Sequence, residues 1–115
     1  MIAFVIAGTL VALVLYGMSG KHHVTPTEAK TLIKTGKVKK VVDVRTALEY
    51  RAGHYPGAIH IPVTTISEKT TRGLPRKGVL VYCNTGQRAR IAAEKLDALG
   101  FEDVYFIDGT YKTLM

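Results

Sequence analysis

Two short runs constrain this chain more than any other feature. Val79-Leu80-Val81-Tyr82 is apolar at every position, and Val41, Val42 and Val44 make a second stretch, residues 38–44, too apolar for an exposed face. A strand with one face in water alternates apolar and polar residues; a strand covered on both faces does not. Both runs therefore read as strands in a sheet with packing above and below it. Helix signals fall between and around them. Thr25-Pro26-Thr27-Glu28 is a helix start: Thr25 can cap, Pro26 fits the first helical position and Glu28 can close a capping box. Ala29, Leu32 and Ile33 supply its apolar stripe and Gly36 its stop. Thr46 and Glu49 repeat the capping-box spacing, which predicts a short helix through Arg51 that ends near Gly53. Tyr55-Pro56-Gly57 signals a turn, residues 58–61 a short strand closed by Pro62, residues 63–69 a short helix and residues 72–78 a loop. Residues 88–99 read as a helix with Ala89, Ala92, Ala93, Leu96 and Leu99 inward and Gly100 past its end. Residues 104–107 form a last strand. Alternating strands and helices imply an α/β fold: a central, mostly parallel sheet with helices on both faces, joined by right-handed crossovers.

The first twenty residues are a separate object. Nothing in residues 2–20 is charged, and IAFVIAGTLVALVLYGM opens that stretch. At ~1.5 Å per helical residue, residues 2–18 span about 25 Å, near the lower limit for a bilayer core. Thr9 can bond back to the helix backbone and Tyr16 suits a membrane interface. A cleaved signal peptide is the rival, but it calls for a basic n-region, and no A-x-A-like cleavage site stands out here. The expected organisation is a transmembrane anchor over residues 1–20 and one soluble domain over residues 21–115. Lys21, Lys30, Lys34, Lys37, Lys39 and Lys40 follow the apolar run, so the positive-inside tendency puts the domain in the cytoplasm.

Composition removes several classes. The chain has 115 residues, of which 47% are hydrophobic and 22% charged, as in a globular domain rather than a disordered one. A single cysteine rules out an internal disulfide and a Cys-rich zinc site. The net charge of +7 reads as a solvated basic face beside a membrane, able to attract small anions or anionic lipid heads. Without a recognition motif or interleaved aromatics it does not indicate nucleic-acid binding.

The lone cysteine, Cys83, follows the buried strand 79–82 and precedes a helix that begins about five residues later. Ligands of open α/β sheets bind beyond the carboxyl ends of the strands. Gly86 allows a tight turn that points N–H groups inward; with the positive helix end and Arg88, these would stabilise an anion on the sulfur. The thiolate is the reactive form of cysteine. The alternative is that Cys83 is a small apolar residue closing a core strand.

Cys83-Asn84-Thr85-Gly86-Gln87-Arg88 resembles the C-x-x-G-x-R active loop of single-domain rhodaneses. Val42-Asp43-Val44-Arg45, Glu49-Tyr50 and Gly53-His54-Tyr55-Pro56-Gly57-Ala58-Ile59 resemble the family's D-V-R…E-Y…G-H-I-P-G-A pattern. Leu99-Gly100-Phe101 and Val104-Tyr105-Phe106-Ile107-Asp108-Gly109 resemble its ending. The match spans roughly residues 24–111. Tyr55 stands where isoleucine is usual, Asp108 where glycine or an apolar residue is frequent, and residues 110–115 lack a tryptophan often found there.

The resemblance implies a rhodanese-type sulfurtransferase that uses no cofactor and no metal. Cys83 would take a sulfane sulfur from a small anionic donor such as thiosulfate, polysulfide or a persulfide. It would pass that sulfur to cyanide or a thiol, with a sulfur-acceptor protein as a further candidate partner. The loop residues Asn84, Thr85, Gly86, Gln87 and Arg88 would hold the persulfide, and Arg88 would also draw in the donor. Asp43 and Arg45 take a structural hydrogen-bonding role, with donor binding by Arg45 as the lesser alternative. Glu49 is expected to cap a helix, and His54 and His60 to bond within the turn. Arg90 extends the positive rim or is simply solvated. Cysteine-dependent phosphatases use the longer C-x5-R loop, and six positions after Cys83 stands Ala89, so the shorter loop favours sulfur over phosphate. A non-catalytic, membrane-tethered redox sensor or adaptor is the alternative from another class.

Overall fold

A computed structural model of the protein describes residues 21–115. The expected anchor over residues 1–20 lies outside the described residues, and among those described no helix is long and apolar enough to cross a membrane. Five strands, β1 (Lys21–His23), β2 (Lys40–Asp43), β3 (Ile59–His60), β4 (Lys77–Tyr82) and β5 (Glu102–Phe106), form one sheet in the order β1-β5-β4-β2-β3. Every pairing is parallel. The helices are α1 (Pro26–Lys34), α2 (Ala47–Ala52) and α3 (Gln87–Ala98).

The two apolar runs lie side by side at the middle of the sheet, with Val41 opposite Leu80 and Val42 opposite Val81. Their side chains alternate between two cores, as a strand's period of two requires. Val42, Val44, Val79 and Val81 pack with Ala89, Ala92, Ala93 and Leu96 of α3 on one face. Val41, Leu80 and Tyr82 pack with Ala29, Leu32 and Ile33 of α1 on the other. This is the two-sided burial that the density of apolar residues in both runs demands.

The cap signals form as expected. Thr25 Oγ1 accepts the Glu28 N–H at 3.1 Å. Thr46 and Glu49 make a reciprocal capping box at 3.3 and 3.1 Å. Helix α3 stops in a Schellman arrangement: Gly100, at φ 91°, donates to Asp97 O, and Phe101 N–H reaches back to Leu96 O at 3.1 Å. Phe101 is buried behind it.

One expectation changes, and two segments take a structure that the sequence did not announce. Residues 63–69 do not form a helix. Only Val63–Thr65 makes a 3-10 turn, because Thr65 and Thr71 turn their hydroxyls onto the carbonyls of Pro62 and Ser67, and Thr70 trades bonds with Ser67. Local bonds of this kind compete with helix propagation. Strand β1 has no apolar alternation to announce it; it exists because its backbone pairs with β5, His23 lying opposite Phe106. The tail also orders: Thr110 Oγ1 accepts the Lys112 N–H, starting a 3-10 turn over Tyr111–Leu114 that buries Leu114 against the α1 core.

Leu80 is fully buried at the centre of the α1-side core. Leu80→Ala should therefore lower stability by about 2–5 kcal/mol, read from the urea midpoint at unchanged m.

Candidate active site

Because all strands run one way, the residues at or just beyond their carboxyl ends meet along one edge. That edge brings together His23 from β1, Asp43 and Arg45 from β2, Cys83 from β4 and Asp108 from beyond β5. The sequence expected Cys83 and Arg45 there; it did not expect His23.

Cys83 is fully buried and its sulfur accepts two backbone N–H groups, from Gly86 at 3.1 Å and Ala89 at 3.3 Å. Gly86 is the N-cap of α3 and has no side chain to cap it. Helices ordinarily place a Ser, Thr or Asp oxygen at this point to satisfy the third N–H of the first turn. Here the cysteine sulfur takes that place. It faces the positive end of a twelve-residue helix, which favours negative charge on it. Gly86 can be nothing else: its φ is 97°, and a Cβ would stand 2.5 Å from Asp108 Oδ1 and 2.8 Å from Asp108 Cα.

The sequence expectation is that Arg88 serves the sulfur and the donor. Its guanidinium forms a two-pronged ion pair with Glu49, at 2.7 and 3.0 Å, and its charge acts on Cys83 from that position. Asn84 donates to the same carboxylate. Glu49 thus caps α2 as expected and also clamps both ends of the Cys83 loop, a role the sequence did not reveal. The bond from Arg88 and those from Thr46 hold its carboxyl well below the usual carboxylate range, against the opposing effect of burial. The Cys83 sulfur itself takes the amide of Gly86, within the expected loop, and that of Ala89, one residue beyond it.

Beneath the loop lies a buried pair. Asp43 is wholly buried and Arg45 nearly so. Asp43 accepts Arg45 Nε at 3.0 Å, Arg45 Nη2 at 2.7 Å, the Arg45 backbone N–H at 2.9 Å and the Tyr82 hydroxyl at 2.7 Å. Arg45 Nη2 also reaches Gly53 O at 2.6 Å, and Tyr82 Oη accepts the Tyr55 N–H at 3.0 Å. Burial alone would raise the Asp43 pKa; the hydrogen bonds from Arg45 and Tyr82 and the arginine charge overcome it and lower the pKa. Burial, followed by the nearby Asp43 carboxylate, pushes the Tyr82 phenol up, so it stays a donor. This is the structural role expected of Asp43 and Arg45. Only Arg45 Nη1 turns toward the loop, 3.4 Å from Asn84 Oδ1.

His54 and His60 behave as turn residues. They bond the carbonyls of Tyr50 and Arg45 at 2.8 and 2.7 Å and stack on either side of the Tyr50 ring. Two clefts open beside the loop. A cleft of about 520 Å³ is walled by Thr85, Gly86, Gln87, Arg90, His23 and Asp108, with Phe106. A smaller one, about 240 Å³, is walled chiefly by Arg45, Glu49, Gly53, Asn84, Tyr111 and Lys112. Arg90 therefore belongs to a cleft rim.

A parallel α/β domain that presents one cysteine sulfur at a helix N-terminus, under a short clamped loop, defines a class suited to holding negative charge on that sulfur. Residues 25–114 match the rhodanese-like domain family model, and the chain belongs to that family. It is similar to the thiosulfate sulfurtransferase GlpE of Pseudomonas savastanoi pv. phaseolicola, 32% identical over 95 residues that cover 83% of this chain and 88% of the relative. The GlpE of Pseudomonas fluorescens is 35% identical, covering 83% and 85%. Among solved structures, a rhodanese-related protein from Thermoplasma volcanium superposes with a TM-score of 0.67 at 28% identity, over 81% of this chain and 89% of that one. The protein is a rhodanese-type sulfurtransferase.

Both carboxylates have folded-state pKa values below their unfolded ones. Their stabilisation is complete above the unfolded value of about 4 and is lost as pH falls through the lower folded values. The urea midpoint should thus hold steady from neutral pH to about 5 and drop below about 4. At pH 7, Asp43→Asn should cost about 3–5 kcal/mol, because it strands the buried Arg45 charge. Glu49→Gln, at a partly exposed pair, should cost about 1 kcal/mol or less.

Proposed function

We propose that the protein moves a sulfane sulfur from an anionic donor such as thiosulfate, polysulfide or a persulfide, through a Cys83 persulfide, to a thiol or cyanide. The observation that carries this reading is the sulfur of Cys83 standing as the cap of α3, bonded by Gly86 and Ala89 N–H. In the first step the thiolate attacks the outer sulfur of thiosulfate; the S–S bond of the donor breaks and its electron pair leaves on sulfite. In the second step an acceptor nucleophile attacks the outer sulfur of the persulfide, and Cys83 departs as a thiolate. The two N–H groups and the helix end stabilise that departing charge without having to reorganise. Thr85, Gly86 and Gln87 wall the larger cleft beside the loop, while Asn84 and Arg88 keep the loop in place through Glu49. The relatives named for thiosulfate support this choice of donor.

Intact-mass spectrometry after incubation with thiosulfate should show the mass of one added sulfur on Cys83, and cyanide should then yield thiocyanate. Both should vanish in Cys83→Ser. Wild-type protein that acquires no sulfur from thiosulfate, polysulfide or a persulfide would overturn the proposal in favour of a sensor or adaptor.

We further infer that residues 1–20 anchor the chain in a membrane with residues 21–115 on the cytoplasmic side. The uncharged apolar run and the lysines after it support this reading. Full-length protein should stay with membranes through an alkaline carbonate wash. Recovery in the soluble fraction, with residues 1–20 removed, would refute the anchor.

A further inference from the structure

The cleft of about 520 Å³ over the Cys83 loop holds a histidine–carboxylate pair that the reaction above does not use. His23 Nε2 lies 2.8 Å from Asp108 Oδ2. A carboxylate only accepts, so Nε2 carries a hydrogen, and in the neutral ring Nδ1 keeps the lone pair. The ring is fixed from two sides: Asp108 holds one edge, and Phe106 stacks on it with centroids 5.1 Å apart at 29°. Asp108 in turn packs on Gly86, the residue that donates to the Cys83 sulfur at 3.1 Å. Asp108 is therefore one residue, and His23 two residues, removed from the reacting atom. The pair is also open to solvent, with side chains 54% and 67% exposed, so core packing does not account for it. Thr85, Gln87 and Arg90 complete the cleft, whose volume suits a small molecule or the tip of a side chain.

The chemistry leaves one task for such a pair. Thiosulfate attack involves no proton transfer, but an alkyl thiol, with a pKa of about 8.5 or above, is only a few per cent ionised at pH 7. A base beside the persulfide removes that handicap. We propose that His23, oriented by Asp108, is the general base for the sulfur acceptor, and that this cleft receives an alkyl thiol. His23 Nδ1 takes the thiol proton as the acceptor sulfur attacks the outer sulfur of the persulfide. The Cys83–sulfur bond breaks, its electron pair stays on Cys83 as a thiolate, and the acceptor leaves as a persulfide. His23 then returns the proton to solvent. The inference rests on the persulfide reading above.

The test loads full-length protein with thiosulfate, removes the excess and follows loss of the added sulfur by mass at pH 7. Two acceptors are compared: 2-mercaptoethanol, which must lose a proton, and 2-nitro-5-thiobenzoate, an aryl thiol already ionised. His23→Gln should slow transfer to 2-mercaptoethanol by about 10-fold or more and leave transfer to the aryl thiol within about twofold. Asp108→Asn should show the same selective loss, smaller in size, as a positioning residue would. Loading from thiosulfate should stay near the wild-type rate in both variants. Equal slowing of both acceptors, or no slowing of either, overturns the inference while the persulfide reading stands. Wild-type protein that never loads sulfur overturns the persulfide reading itself and the inference with it.

Discussion

A sulfur atom closes the N-terminus of α3, and much of the site follows from that substitution. A helix leaves its first N–H groups unpaired, and a buried helix end must find acceptors for them. Gly86 cannot supply one, since the turn demands a positive φ and Asp108 fills the space where a side chain would stand. The nearest atom is Cys83 Sγ, delivered by the end of β4. Structural need and chemical use coincide here. The acceptor that the helix requires is also the atom that gains from being negatively charged, and the same N–H groups serve it as nucleophile and as leaving group.

Around that point the molecule separates holding from reacting. Arginines near a reactive anion usually invite the assumption that they touch it. Arg88 and Arg45 are each paired with a carboxylate, Glu49 and Asp43, and the Arg88 charge acts on Cys83 from that position. The first pair clamps the loop to α2. The second joins the ends of β2 and β4 to the turn at Gly53 and Tyr55. The hydrogen bonds to the sulfur come from backbone, whose dipoles are fixed by the helix and need no side-chain rotamer to be held.

Much of the scaffold was legible in the chain because its causes are local. Thr25, Thr46 and Glu49 act over three residues, and Gly100 over five. The two dense apolar runs announce two-sided burial wherever the strands end up. Segments whose structure depends on distant partners were not legible. Lys21-His22-His23 has no strand pattern and becomes one only by pairing with β5. Residues 63–69 carried weak helix signals and were diverted by their own hydroxyls.

The site divides along the same line. By itself the sequence determined that one cysteine ends a buried strand, that a glycine-containing loop and a helix follow, and that the loop is one residue too short for the phosphatase pattern. Those are statements of spacing, and backbone geometry converts spacing directly into a sulfur at a helix N-terminus. Only the tertiary structure decided what surrounds it. Arg88 meets Glu49 across 39 positions, and His23 meets Asp108 across 85. Such partners are chosen by the order β1-β5-β4-β2-β3, which lays the carboxyl ends of β1 and β5 side by side. Strand order is set by how two cores are filled, and that sum over the whole chain is not readable from any one segment of it.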